Sequence, residues 1–156
     1  MSDLASRLHS DLTTAMKARD ALVVSTLRMA LSAVRTEEVA GTTARELDDA
    51  EVLKVLAKES KKRQESAEAF DGANRPELAD KERAEASILA AYLPSQLDDG
   101  EVAALAADAV EAVRADNGEA PGMRQMGQVM KLASAAAAGR ADGGRVSSAV
   151  KSLLQG

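Results

Sequence analysis

No cysteine occurs in the chain, which excludes disulfides, a thiolate nucleophile and any metal site built on sulfur. Tryptophan is absent too, and the aromatics reduce to Phe70 and Tyr92. Strand-favouring residues never form an alternating run, so the core has to be built from Leu, Val, Met and Ala on helices. No stretch approaches the roughly 18 consecutive apolar residues of a membrane span, and Met1-Ser2-Asp3-Leu4 lacks the basic start and apolar core of a signal peptide. The compartment expected on these grounds is the cytoplasm, with no membrane partner. Ser-His-Asp, Cys-His, zinc and dinucleotide fingerprints are all missing. No catalytic residue, no metal ligand and no cofactor is therefore assigned, and enzymatic activity of the chain alone is not expected. The single histidine, His9, reads as a solvated residue of the first helix.

What is present is charge. The formal net charge of −5 argues against the general basic surface of a non-specific nucleic-acid binder. The sign reverses locally, however. From Pro121 to the end, Arg124, Lys131, Arg140, Arg145 and Lys151 face a single acid, Asp142, so an acidic protein carries a basic tail.

The predicted architecture is all-α: an N-terminal four-helix bundle over 1–94 and a small three-helix C-terminal domain over 95–156. Leu4, Leu8, Leu12 and Met16 recur every four residues on the first helix, entered from Ser2 or Asp3. The second helix covers about Leu22 to Val39, stopped by Gly41. Asp48 and Glu51 have capping-box spacing, with Leu47 as the preceding staple, for a third helix reaching about Phe70. Pro76 suits the first position of a fourth helix that ends near Tyr92. Pro94 breaks the chain, and Asp98 with Glu101 forms a second capping box. Shorter helices follow, Met123 to Ala138 before Gly139 and Arg145 to Leu154 after Asp142-Gly143-Gly144.

Four features carry chemistry. Glu59 and Arg63 sit inside the apolar stripe of the third helix, Glu82 and Glu85 inside that of the fourth, and Glu38, Arg28 and Arg35 border the second. A carboxylate-bundle metal site needs Glu-x-x-His pairs that are missing, so the cluster reads as a salt-bridged layer. Lys54, Lys58, Lys61 and Lys62 share one side of the third helix, where they could meet phosphates or pair with Glu51 and Glu65. Met126 and Met130 suit either a core or an adaptable partner surface. Gly139-Arg140-Ala141-Asp142-Gly143-Gly144-Arg145 suits either an anion-binding helix entry or an ordinary capped turn.

Taken together, Leu27-Arg28-Met29-Ala30-Leu31-Ser32-Ala33-Val34-Arg35, Lys62-Arg63-Gln64-Glu65-Ser66-Ala67-Glu68-Ala69-Phe70, Ala79-Asp80-Lys81-Glu82-Arg83-Ala84-Glu85, Tyr92-Leu93-Pro94-Ser95-Gln96-Leu97 and Met126-Gly127-Gln128-Val129-Met130-Lys131 with Gly139-Arg140-Ala141-Asp142-Gly143 resemble the GatB/YqeY family, in order and across nearly the whole chain. The resemblance implies a stand-alone YqeY-like protein whose later half is similar to the tail of the B subunit of tRNA-dependent amidotransferase. In that enzyme the tail contacts tRNA and the chemistry resides elsewhere. It implies tRNA as partner, with an amidotransferase or aminoacyl-tRNA synthetase as a further one. The RNA-facing role maps onto Lys131, Arg140 and Arg145, flanked by Arg124 and Lys151. Two alternatives stand beside it: an accessory component of glutamine-dependent amidation, matching the family label of carbon–nitrogen ligase with glutamine as amido-N-donor, and a protein-only adaptor using Met126 and Met130.

Overall fold

The computed structural model describes all 156 residues as seven α-helices and one 3₁₀ turn, without a strand. The all-helical expectation holds. No helix is long and apolar enough to cross a membrane. The chain divides into two compact units, Met1–Leu93 and Pro94–Gly156.

The first unit contains α1 (Asp3–Ala18), α2 (Ala21–Glu38), α3 (Asp49–Gly72) and α4 (Pro76–Ala90). Ser2 accepts from the Ala5 amide at the start of α1, and Asp20 does the same for Val23 at the start of α2. Each satisfies an amide that the first turn leaves without a partner. The expected stripes turn inward except at Met16, which is exposed at the end of α1: Leu8, Leu27, Leu56 and Leu89 are fully buried, with Leu47 and Val52 beside them. Two ends differ from expectation. The second helix is capped at Val39 before it reaches Gly41, and the fourth stops at Ala90, two residues short of Tyr92. The Tyr92 hydroxyl donates to Asp11 on α1, and the Arg7 guanidinium lies 4.7 Å from the centre of its ring. Burial, followed by the Asp11 hydrogen bond, pushes the phenol above its ordinary range.

The capping box expected at α3 is formed. Asp48 accepts from the Glu51 amide at 2.8 Å and Glu51 accepts from the Asp48 amide at 3.0 Å. Glu51 is also ion-paired to Arg45 at 2.7 Å. The Arg45 hydrogen bond and then the Asp48 amide hold its carboxyl down at about 2.

The second unit contains α5 (Asp99–Asn117), a 3₁₀ turn (Met123–Gln125), α6 (Met126–Ala137) and α7 (Gly143–Gln155). Asp98 and Glu101 close the second capping box, and Gly118, at φ 76°, ends α5 in a left-handed conformation suited to glycine. The core is made of small side chains. Val102, Ala106 and Val113 of α5 meet Val129 and Ala133 of α6 and Val146 and Val150 of α7. The last helix begins two residues earlier than the glycines suggested: the Asp142 carboxylate accepts from the Arg145 amide, which fixes Asp142 as the cap and puts Gly143 and Gly144 in the first turn. Ala138 ends α6 at φ 49°, in the region that disfavours a Cβ.

Two expectations follow for stability. Ala138→Gly relieves that strain and should raise the unfolding free energy by about 0.5–1 kcal/mol in urea. Glu51 has a depressed folded pKa, so its contribution is complete above its ordinary 4.5 and lost as pH falls through about 2. The urea midpoints of wild type and Glu51→Gln should differ above that window and converge below it.

Candidate nucleic-acid interface

The five basic residues of the tail fall into two groups, set by whether each has a partner in its own unit. The buried side of α6 is Val129, Ala133 and Ala137. Lys131 lies on the opposite, exposed side, with Gln128, Ser134 and Ala135 exposed around it and Arg124 exposed on the preceding 3₁₀ turn. On α7 the buried side is Val146 and Val150, and Lys151 is exposed. Within 4 Å the basic side chains of this unit form ion pairs only through Arg114 to Glu111 and Arg145 to Asp99. Arg124, Lys131 and Lys151 therefore have no acidic partner.

Arg140 and Arg145 are engaged. The Leu97 amide donates to the Arg140 carbonyl at 2.7 Å. The Arg140 side chain donates to Ser95, from Nε to the carbonyl oxygen at 2.9 Å and from Nη2 to the hydroxyl at 3.3 Å. Arg140 thus fastens the segment leading into α5 onto the turn between α6 and α7, and Leu97 reaches the core beside it. Arg145 donates from Nη2 to Asp99 at 2.8 Å. A shallow groove of about 560 Å³ runs past it, lined by Asp99, Asp142, Arg145, Ser148 and Ser152 among others. Two carboxylates against one guanidinium make this groove poor for an anion, and Asp142 already accepts from the Arg145 amide at the head of α7. Ser95 and Asp99 escaped the sequence reading because they lie 45 and 46 residues from their arginines, beyond any local spacing rule.

The charged cluster of the first unit is assembled in part. Arg63 lies 3.1 Å from Glu59 and 3.3 Å from Glu85, and its Nη2 lies 3.5 Å from the Met29 sulfur. Lys62 adds a second cation on Glu59 at 3.1 Å, giving two positive and two negative groups. The Nε of Arg63 faces Glu85 without hydrogen-bond geometry. Glu38 and Glu82 stay outside the ion-paired cluster, and Arg28 and Arg35 are exposed. No three acidic or histidine side chains gather where they could hold a metal ion.

The family model described as Yqey-like protein matches residues 5–154. "Altered inheritance of mitochondria protein 41, mitochondrial" of Meyerozyma guilliermondii is 35% identical over 88 residues, 56% of this chain and 45% of the relative. The protein of the same name in Clavispora lusitaniae is 36% identical over 92 residues, 59% of this chain and 52% of the relative. An uncharacterised protein of Schizosaccharomyces pombe is 36% identical over 93 residues, 59% of this chain and 73% of the relative. The matched stretch spans about half the length of the two mitochondrial relatives. Both names describe those relatives as mitochondrial, which overturns the cytoplasmic expectation. The physical reason for the error is that a cysteine-free chain reports the absence of disulfides, which holds in more than one compartment.

The two groups of basic residues should separate in stability measurements. Arg140→Ala removes the fastening to Ser95 and should lower the unfolding free energy by about 1–2 kcal/mol. Lys131→Gln should stay within about 0.5 kcal/mol of wild type in the same urea titration.

Proposed function

We propose that this chain, which belongs to the YqeY-like family, is a non-catalytic helical module that docks on transfer RNA, or on an assembly that charges or amidates it, through the basic end of its second unit. Arg124, Lys131 and Lys151 make the phosphate contacts. Arg140 and Arg145 hold the turn between α6 and α7 in place through Ser95 and Asp99. The observation that carries this reading is that three exposed cations have no acidic partner in their own unit. Exposed, unpaired cations suit phosphate oxygens, which sit outside the bases and need no deep pocket. The resemblance to the amidotransferase tail supports tRNA among the nucleic acids. The mitochondrial names of two relatives are compatible with it, since mitochondria hold their own transfer RNAs.

Few contacts imply weak binding with a modest dependence on salt. In fluorescence anisotropy with labelled total tRNA, the full chain should bind saturably at low salt. Arg124→Gln, Lys131→Gln and Lys151→Gln combined should flatten the dependence of log K on log salt by about 2. An isotherm and a salt slope unchanged by the three substitutions overturn the assignment of these residues.

A further inference from the structure

We propose that the solvent face of α3 is a second phosphate-backbone surface, formed by Lys54, Lys58 and Lys61 with Lys62 at its edge. The face lies in the first unit, and its existence is independent of the tail; that the polyanion is RNA rests on the reading above.

All four lysines are exposed. Lys62 shares Glu59 with Arg63, whereas Lys54, Lys58 and Lys61 form no ion pair, although the chain has more acidic than basic residues. Glu51, at the head of this face, is committed to Arg45. Glu65 follows Lys61 by four residues, the less favourable order for such a pair, and no bridge forms. Lys54 and Lys58, Lys58 and Lys61, and Lys58 and Lys62 are like-charged neighbours on successive turns, each opposing the helix that carries it. A bound polyanion reverses the sign of that contribution.

The absence of apolar anchors identifies the partner. The large apolar side chains that are exposed, such as Met16, Met29 and Leu132, all lie outside α3. A protein partner draws its affinity from buried aromatic or aliphatic anchors, and a membrane surface from an apolar face that inserts. Between Glu51 and Glu65 this face offers repeated positive charge and no apolar anchor. From Lys54 to Lys62 the helix advances about 12 Å, enough to follow about three phosphates of one strand at roughly 3.4 Å of axis each.

The test uses the full chain and labelled total tRNA, titrated over a range of salt, with the K54Q/K58Q/K61Q variant beside the R124Q/K131Q/K151Q variant described above. Glutamine keeps the helix propensity of lysine, and circular dichroism checks that α3 persists. The α3 variant should flatten the salt slope by about 2, which shrinks the affinity change between about 50 and 200 mM salt roughly twentyfold. An unchanged slope in this variant overturns the inference, even when the tail variant weakens binding. A flattened slope in the α3 variant beside wild-type behaviour of the tail variant upholds it and removes the tail assignment instead. No binding by wild type at low salt overturns both and leaves these lysines to an acidic protein.

Discussion

The first unit is organised around a guanidinium that water hardly reaches. Arg63 comes from α3, its carboxylates from α3 and α4, and a methionine sulfur from α2 closes the remaining side. Removing the arginine alone would leave Glu59 and Glu85 without their main partner, a loss of about 3–5 kcal/mol for buried pairs of this kind. Replacing the whole set with apolar side chains of similar volume is often neutral. By this argument the layer selects an arrangement rather than adding net stability. A slip of one turn between α3 and α4, about 5.4 Å, would separate Arg63 from Glu85 while leaving Leu56 and Leu89 apolar surroundings. Leucines tolerate such a slip, and the ion pair does not.

The same distinction between cations that fold the protein and cations left over runs through the whole chain. Arg45 anchors a capping box, Arg63 fixes a hairpin, Arg83 ties Asp71 and Asp80 together, and Arg140 fastens the entry to α5. These are arginines, whose planar fork satisfies two acceptors at once. The leftover group is mostly lysine: Lys54, Lys58 and Lys61 on α3, and Lys131 and Lys151 in the second unit. A flexible ammonium suits a repeating, weakly directional anion, with the exposed Arg124 as an arginine among the leftover cations.

Some of this was legible in the sequence and some was not, for a physical reason. Both capping boxes and Pro76 at the head of α4 are local features, and local spacing located them. The polar interruption of the α3 and α4 stripes likewise marks Glu59, Arg63 and Glu85. Glu38 and Glu82 carried the same signal yet stand outside the ion-paired cluster, because periodicity gives the face a residue shares but not its reach. Gly143 and Gly144 read as a turn, and the Asp142 cap drew them into a helix. The partners of Arg140 and Arg145 depend on chain segments that meet only after folding. The compartment lay outside the reach of composition altogether.

The scarcity of aromatic rings has an optical consequence. Phe70 and Tyr92 both belong to the first unit, and the second contains no aromatic ring. Near-ultraviolet absorbance and dichroism therefore arise from the first unit alone, while the helical signal in the far ultraviolet is shared by both. The unlabelled protein carries its own contrast between its halves: if they melt separately, the two signals will change at different temperatures in one sample, and if they melt as one, the curves will superimpose.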